Sequence, residues 1–495
     1  MKKLLLSTII ILLLSSILLI SCGDGVTTTT ETSVITTVTD DTTTLPIDGV
    51  FSSKTYIKKD WAGKTLNIAC STWSAEPGAP WSVIELCVDY GKESGFGTKI
   101  DASVLERQEF IKETYGVELN WINATRYAMH DALKTAELAG NINYDLALPR
   151  IMRVQSIVSN GSVYDLKDRE YLDLDNPYYS KNSIEAYTAK GHTFFVDGKI
   201  PLYEKDDVFV LYFNKEILGG KQAVDGLYQK VRDGKWTWSE LVTLANAAYK
   251  DDGNGLRDNN DIYGLFTASL SKFYRHFDTK QAGVDEVTGE WKITLNDGRS
   301  DDIIDAIIQA NTSSWCRTEW GCIYPDTPLT VLKEGGLLFY HSTLDESFRI
   351  LNNDNVGVVP FPMLNEEQER YCAFLYTRGI LMCIPKITQD RQMSEYFLDV
   401  LTWTGNYYVT NAYFEQKAEH LGNDEDMEML KSYIFPNVVY DAGEYVGWGN
   451  LIGSVLGESY KDNVNSFDEA YAKYEPEALE TVAKWNEAWG AYTEE

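Results

Sequence analysis

Positive charge and sulfur are what this 495-residue sequence has little of. Lys and Arg number 44 against 74 Asp and Glu, a net charge of −30. That balance excludes nucleic acid as a partner and excludes flat adhesion to an anionic lipid surface, because both require a basic face. It suits an extracytoplasmic protein that captures an uncharged ligand. Of the seven cysteines, none stands in a Cys-x-x-Cys pair, which removes the usual zinc site. His-Glu-x-x-His, Gly-x-Ser-x-Gly and a phosphate loop are also missing, and with them the signatures of three large enzyme groups.

What is present begins with a long apolar run. Met1-Lys2-Lys3 is basic, Leu4 to Ile20 is almost purely apolar, and the run stops at Ser21-Cys22. It is slightly short for a membrane span and ends in small residues, as a secretory signal does. Leu19-Ile20-Ser21-Cys22 resembles the bacterial lipobox. Residues 1–22 then form a lipoprotein signal peptide with its lipobox, and the resemblance implies lipidation of the Cys22 sulfur and removal of the segment before it, so that Cys22 becomes the new, anchored N-terminus. Acyl chains contribute about 0.8 kcal/mol per buried methylene, so several on one cysteine hold firmly. Residues 23–58 are rich in Thr, Val, Asp and Ser. Up to Pro46 they carry too little apolar surface to offset ordering and read as a disordered tether.

Length and a 44% hydrophobic composition predict a large globular body of two domains. Leu66, Ile68 and Cys70 alternate in a strand over 65–70. A helix over about 102–115 stops at Gly116, and Val117 to Ile122 is the next strand. Met129 to Leu138 is helical up to Gly140, and Tyr144 to Leu148 is a third strand. This β–α–β–α–β order predicts a parallel sheet covered by helices. Ligands of such sheets sit beyond the carboxyl ends of the strands. The loops after the first and third strands therefore supply Trp73, Glu76 and Arg150 as binding candidates. Phe194–Val196, Val208–Phe213, Leu337–Tyr340, Val356–Pro360 and Gly379–Ile384 read as further strands, and a helix starts near Ser239 with Ser239 as its cap. From Gln392 the chain is mostly helical, and no internal repeat is found. Six cysteines remain beyond Cys22; Cys316 and Cys322 are close enough to bridge a loop, and buried thiols are the equal alternative.

Several stretches in order, "FIKETYGVEL", "NINYDLALP", "VFVLYFNKEIL", "WTWSELVTLANAAYKDDGNGLRDNNDIYGL", "VLKEGGLLFYHST", "VGVVPFPM" and "RGILMCIPK", resemble the solute-binding lipoproteins of ABC importers, family 1, the maltose- and oligosaccharide-binding type. The resemblance spans about Thr65 to Ala418, and "YFEQKAEHLGNDEDMEMLKSYIFPNVVYDAG" resembles longer members. It implies an α/β, two-lobed periplasmic-binding-protein type II fold with discontinuous lobes and a hinge. Lobe 1 would comprise 59–203 plus 352–388, and lobe 2 would comprise 204–351 plus 389–495. Crossings are implied near Pro201–Asp207, His341–Asn352 and Pro385–Met393. Strand ends and these crossings together add Tyr203, Asp207, Tyr340, His341 and Arg378 to the ligand-binding candidates; the resemblance adds Trp448, since late aromatics often line the family's cleft, with Trp315 and Trp320 as weaker ones.

The loop Asp252, Asn254, Gly255, Asp258, Asp261 resembles an EF-hand, but Lys250 stands where the first carboxylate belongs. Calcium and a solvated turn both remain open for it, and no cofactor is otherwise implied. The expected role is non-enzymatic: capture of a small solute, most plainly a carbohydrate, by hinge closure, and delivery to ABC permease subunits by a lipid-anchored monomer on the outer face of the cell membrane. The alternatives are a cell-surface glycan adhesin or sensor subunit, and a secreted polysaccharide-active enzyme with paired carboxylates.

Overall fold

The computed structural model describes residues 60–72, 98–125, 129–140, 143–200, 203–318, 328–350, 355–375, 379–443, 451–459, 461 and 463–494. Cys22 with its signal and the tether, Trp73, Glu76, Trp320, Cys322, Arg378 and Trp448 lie outside them, as does the side chain of Tyr203. Among the described residues no helix is long and apolar enough to cross a membrane.

Lobe 1 is built on β1 (Thr65–Thr72), α1 (Thr98–Tyr115), β2 (Glu118–Thr125), α2 (Met129–Ala139) and β3 (Leu146–Leu148). The sheet order is β2-β1-β3, all parallel, with Ile68 opposite Leu146. Leu66 and Ile68 are fully buried, which is what their period-two spacing requires of a strand packed on one face. Gly116, at φ +66°, ends α1 by turning its N–H onto the Lys112 carbonyl at 2.9 Å; a left-handed residue closes a helix this way with least strain when it lacks Cβ. The sheet is widened by antiparallel bridges from Ala147 to Cys383 and from Met382 to Val196. After β3 come α3 (Val154–Ser159) and a hairpin of β4 (Thr188–Ala189) and β5 (His192–Thr193).

Lobe 2 follows a short helix, α4 (Tyr203–Asp206). Its strands are β6 (Phe209–Asn214), β7 (Tyr263–Thr267), β8 (Ala282–Val284), β9 (Trp291–Ile293), β10 (Cys316–Arg317), β11 (Leu337–Thr343) and β12 (Val356–Val359), with helices α5 (Lys221–Arg232), α6 (Trp238–Ala248), α7 (Phe273–His276) and α8 (Ser300–Thr312). The five-stranded sheet runs β10-β7-β11-β6-β12. Every residue of β6 and β12 is buried, because helices cover both faces and the strands are continuous apolar runs rather than alternating ones. Helix α6 begins at Trp238, with Thr237 as its cap residue, two residues before the expected cap Ser239. The backbone decides this: Trp238 N–H is held by the Met363 carbonyl at 2.7 Å.

Three segments sit elsewhere than the sequence reading put them. The strand β12 pairs antiparallel with β6, Val358 opposite Tyr212, so this part of 352–388 belongs to lobe 2. No return to lobe 1 occurs along His341–Asn352 in its described part: β11 passes into a 3-10 turn, Leu344–Arg349. The return lies at β13 (Ala373–Phe374) and just beyond it, since Leu375 bridges Val208 while Ile380 bridges Arg150. Next, α9 (Arg391–Thr404) packs on lobe 1 through Tyr396 against Trp61, ring centroids 4.8 Å apart, and Phe397 against Tyr115 at 5.5 Å. A π-turn, Gly405–Val409, joins it to α10 (Thr410–Leu421). Gly405 is required there, because a Cβ would stand 1.9 Å from the Lys199 carbonyl oxygen. Then β14 (Val438–Val439) pairs with β13, and α11 (Leu451–Ser459) leads to α12 (Phe467–Gly490).

Helix α12 touches both lobes. On lobe 1 Trp489 donates its indole N–H to Gln155 of α3 at 2.8 Å, and Tyr492 accepts from the Asp165 N–H at 3.1 Å. On lobe 2 Asn486 makes two hydrogen bonds with the backbone of Trp291, at 2.8 and 3.0 Å. The Trp291 ring lies 5.3 Å from that of Trp489 and 5.9 Å from that of Trp485.

Candidate functional site

Parallel strands bring their carboxyl ends to one edge of each sheet, and two of the chain's crossings, at 201–207 and 375–379, bring those edges together; a later passage runs through α10 to Asp426, which accepts from the Val358 N–H of β12 at 2.7 Å. In lobe 1, Arg150 follows β3, bridges Ile380, and leaves the Ile151 N–H bonded to the Gly379 carbonyl at 2.9 Å. In lobe 2, β11 ends where the Leu344 N–H meets the Val208 carbonyl at 2.9 Å, and Val208 bridges Leu375. Leu375 and Gly379 are four residues apart, at most roughly 14 Å of extended chain. The ends of β3 and β11 therefore flank the same short crossing from opposite lobes. Ser71, next to last in β1 and one residue past its pairing with β3, is fully buried with a hydroxyl that makes no hydrogen bond. A buried hydroxyl without a partner costs about 1–3 kcal/mol, and it stands here at the ligand edge of the sheet.

The second crossing is tied down by two histidines. His276 of α7 and His341 of β11 are buried, with their Nε2 atoms 2.9 Å apart. Nδ1 of His276 lies 2.7 Å from the Cys372 carbonyl, and Nδ1 of His341 lies 2.9 Å from the Thr267 hydroxyl. A carbonyl only accepts, so His276 Nδ1 carries the proton. Its Nε2 then accepts from His341 Nε2–H, and His341 Nδ1 accepts from Thr267. The chain is complete with both rings neutral. Burial pushes the His276 pKa down to about 3, helped by Arg275 and Lys272 and opposed by the Cys372 carbonyl. Burial lowers His341 as well, with His276 and Lys272 adding to it. Phe361 stacks on His276, centroids 4.4 Å apart, and closes the pair from water.

The first crossing carries a charge instead. Asp206 at the end of α4 is buried and receives the Lys417 ammonium at 2.5 Å and the Tyr413 hydroxyl at 2.9 Å. Lys417, fully buried in α10, also reaches Ser347 of the turn after β11 at 3.0 Å. Burial raises the Asp206 pKa and Lys417 opposes it. Arg107 of α1 holds the Ile200 carbonyl, just before the crossing, at 3.3 Å.

Of the residues expected at the site, the structure brings Arg150, Asp207 and His341 to the crossings, all three buried. Tyr340 is also buried; its ring lies between Tyr212 at 6.1 Å and Phe266 at 5.9 Å. Trp315 packs in the core beside Trp238 at 6.2 Å. Tyr203 opens α4, and Trp73, Glu76, Arg378 and Trp448 lie outside the described residues. Sequence reasoning missed Thr267, Lys272, Arg275 and His276. The strand-end rule that selected Arg150 selects this loop too, once Tyr263–Thr267 is recognised as a strand. It also missed Asp206 and Lys417, far apart in sequence and joined only by folding.

The Asp-rich loop brings Asp251, Asp252 and Asp261 carboxylates within 4.8 Å of one another. Asn254 and Asp258 instead bond each other at 2.8 Å. Asp261 accepts from the Asp252 and Asp258 N–H groups and from the Tyr263 hydroxyl. These bonds account for the turn by themselves. Among the cysteines, Cys70, Cys316, Cys372 and Cys383 are buried thiols.

No protein-family model and no curated protein matches this chain. Solved structures do. The sugar-binding protein MalE of Xanthomonas citri is 12% identical with a TM-score of 0.56, over 87% of this chain and 100% of that one. The extracellular solute-binding protein of Staphylococcus aureus, in complex with maltose, gives 11% and 0.53 over 85% and 98%. The GacH receptor of Streptomyces glaucescens, solved unliganded and with acarbose, gives 14% and 0.52 over 85% and 98%. The chain has the two-lobed periplasmic-binding-protein type II fold of these solute-binding proteins.

Proposed function

We propose that this chain is the solute-binding component of an ABC importer and that its solute is a carbohydrate. The observation that carries the reading is the meeting of two sets of strand ends at one pair of crossings. A solute bound there touches both lobes, and it favours closure by as much as it binds the closed form better than the open one. The sugar assignment is supported by the maltose and acarbose complexes of the structural neighbours. It also fits the net charge of −30, which disfavours anionic solutes. The lipobox-like Leu19-Ile20-Ser21-Cys22 supports a lipid anchor at Cys22 and residence on the outer face of the cell membrane, from which the loaded form docks on permease subunits.

A thermal-shift screen over mono- and oligosaccharides tests this reading. A binder gains RT ln(1 + [L]/Kd), about 2.7 kcal/mol at a hundredfold excess over Kd, so one sugar class raises the melting temperature in a dose-dependent way and no shorter product is released. A flat response across neutral sugars refutes the carbohydrate assignment. Turnover of the stabilising sugar refutes the binding role.

A further inference from the structure

The structure assigns a second carbohydrate site to the outer flank of lobe 1, separate from the crossings. It is an open groove of about 790 Å³ between α1 and α10, floored by Trp403 and the π-turn Gly405–Val409. Three rings are stacked in series at its base. Phe110 lies 5.7 Å from Trp403 with planes 28° apart, and Trp403 lies 6.4 Å from Tyr407 with planes 23° apart. The first two are core or near-core; Tyr407 ends the series and is 50% exposed. Its ring therefore offers a flat apolar face to solvent, backed by two further rings that fix its orientation.

The π-turn explains why the ring stands there. An extra residue in one turn shifts the side-chain register of a helix, and such turns recur at binding sites. Here it carries Asn406, Tyr407 and Tyr408 into the groove, where a regular continuation of α9 would rotate them. Tyr408 meets Tyr407 edge-on at 4.9 Å and walls one side. Around the platform stand Ser103, Glu106, Asn406 and Asn411. Lys99, the cation on the rim, is neutralised by Glu415 at 3.3 Å and Glu419 at 2.7 Å. A net-acidic rim repels anions, and an aromatic floor with amide, hydroxyl and carboxylate edges fits a neutral polyhydroxylated ring: C–H faces on Tyr407, hydroxyls on the rim. The groove is open along its length, so it takes a stretch of a neutral polysaccharide rather than enclosing a small sugar. This site does not depend on the cleft reading.

Affinity electrophoresis of the full chain in native gels containing soluble α-glucan, β-glucan, xylan or mannan tests it. At least one polymer should retard the wild type. Tyr407→Ala should abolish the retardation, Asn411→Ala should weaken it, and Tyr407→Trp should keep it. Tyr407→Ala should also leave the melting temperature and the oligosaccharide thermal shift as in wild type, which separates loss of the groove from loss of the cleft. Absence of retardation by every polymer overturns the proposal, as does equal retardation of wild type and Tyr407→Ala.

Discussion

The two crossings between the lobes are held by opposite chemistry. At the first, a buried carboxylate and a buried ammonium, Asp206 and Lys417, meet with Tyr413 and Ser347 as supporting partners. At the second, a neutral chain runs from Thr267 through His341 and His276 to the Cys372 carbonyl. The charged knot has short reach and high stakes: either partner alone is an uncompensated charge in the core. The neutral chain is cheap to bury as long as no proton is added. Its weakness lies in acid, where an imidazole in water ionises and these two do not.

The largest expected effect comes from breaking the charged knot. Lys417→Met should cost about 3–5 kcal/mol in urea denaturation, because Asp206 stays buried without its cation. Adding Asp206→Asn in the same chain should recover most of the loss; if it recovers none, the knot is not the source. The neutral chain is tested by acid. The folded-state pKa of His276 is pushed down to about 3, below its unfolded value near 6.5. The unfolded chain therefore takes a proton first. The stabilisation is fully present above pH 6.5 and is lost as pH falls towards 3, by at most about 1.4 kcal/mol per pH unit for this one residue. His276→Asn, whose amide can still donate to the Cys372 carbonyl, should make the plot of melting temperature against pH shallower below 6.5. An unchanged slope would show that the imidazole is not the titrating group. Thr267→Val should cost less, about 1–3 kcal/mol, by leaving His341 Nδ1 without its donor; a negligible loss would mean that the Thr267 hydroxyl is not what satisfies His341 Nδ1. Smallest of all, Tyr407→Ala on the exposed flank should change stability by no more than about 0.5 kcal/mol, a contrast in the same assay with both crossings.

Much of the architecture was legible because it is local. Period-two alternation in 65–70, Gly116 after α1 and the apolar run of β6 each follow from a few neighbouring residues. The strand-end rule reached Arg150, and the resemblance reached Asp207 and His341, all of which lie at the crossings. What was not legible depends on long-range pairing. Val356–Val359 reads as a strand, but nothing in those four residues states that its partner is β6. Tyr396 and Phe397 read as apolar helix positions without saying that Trp61 and Tyr115, some 280 to 335 residues earlier, cover them. Nothing local in the sequence marks Asp206 in an acidic chain; only folding places Lys417 on it.

The last helix, α12, has a bearing on how the two halves can part. A body joined to another by adjacent connections swings like a door; a further attachment away from that line would lock it. Trp489 and Tyr492 fasten α12 to Gln155 and Asp165 on one side, while Asn486 fastens it to Trp291 on the other. Every swing must then release one of these two fastenings and restore it on the way back. The Trp291 side has two hydrogen bonds and two edge-on indole contacts, and the turn that opens α12 is also tied to α8, where Asn465 bonds Asp305 at 3.1 Å. The resting balance between gaping and shut would thus depend on a contact whose two sides lie 195 residues apart in the sequence.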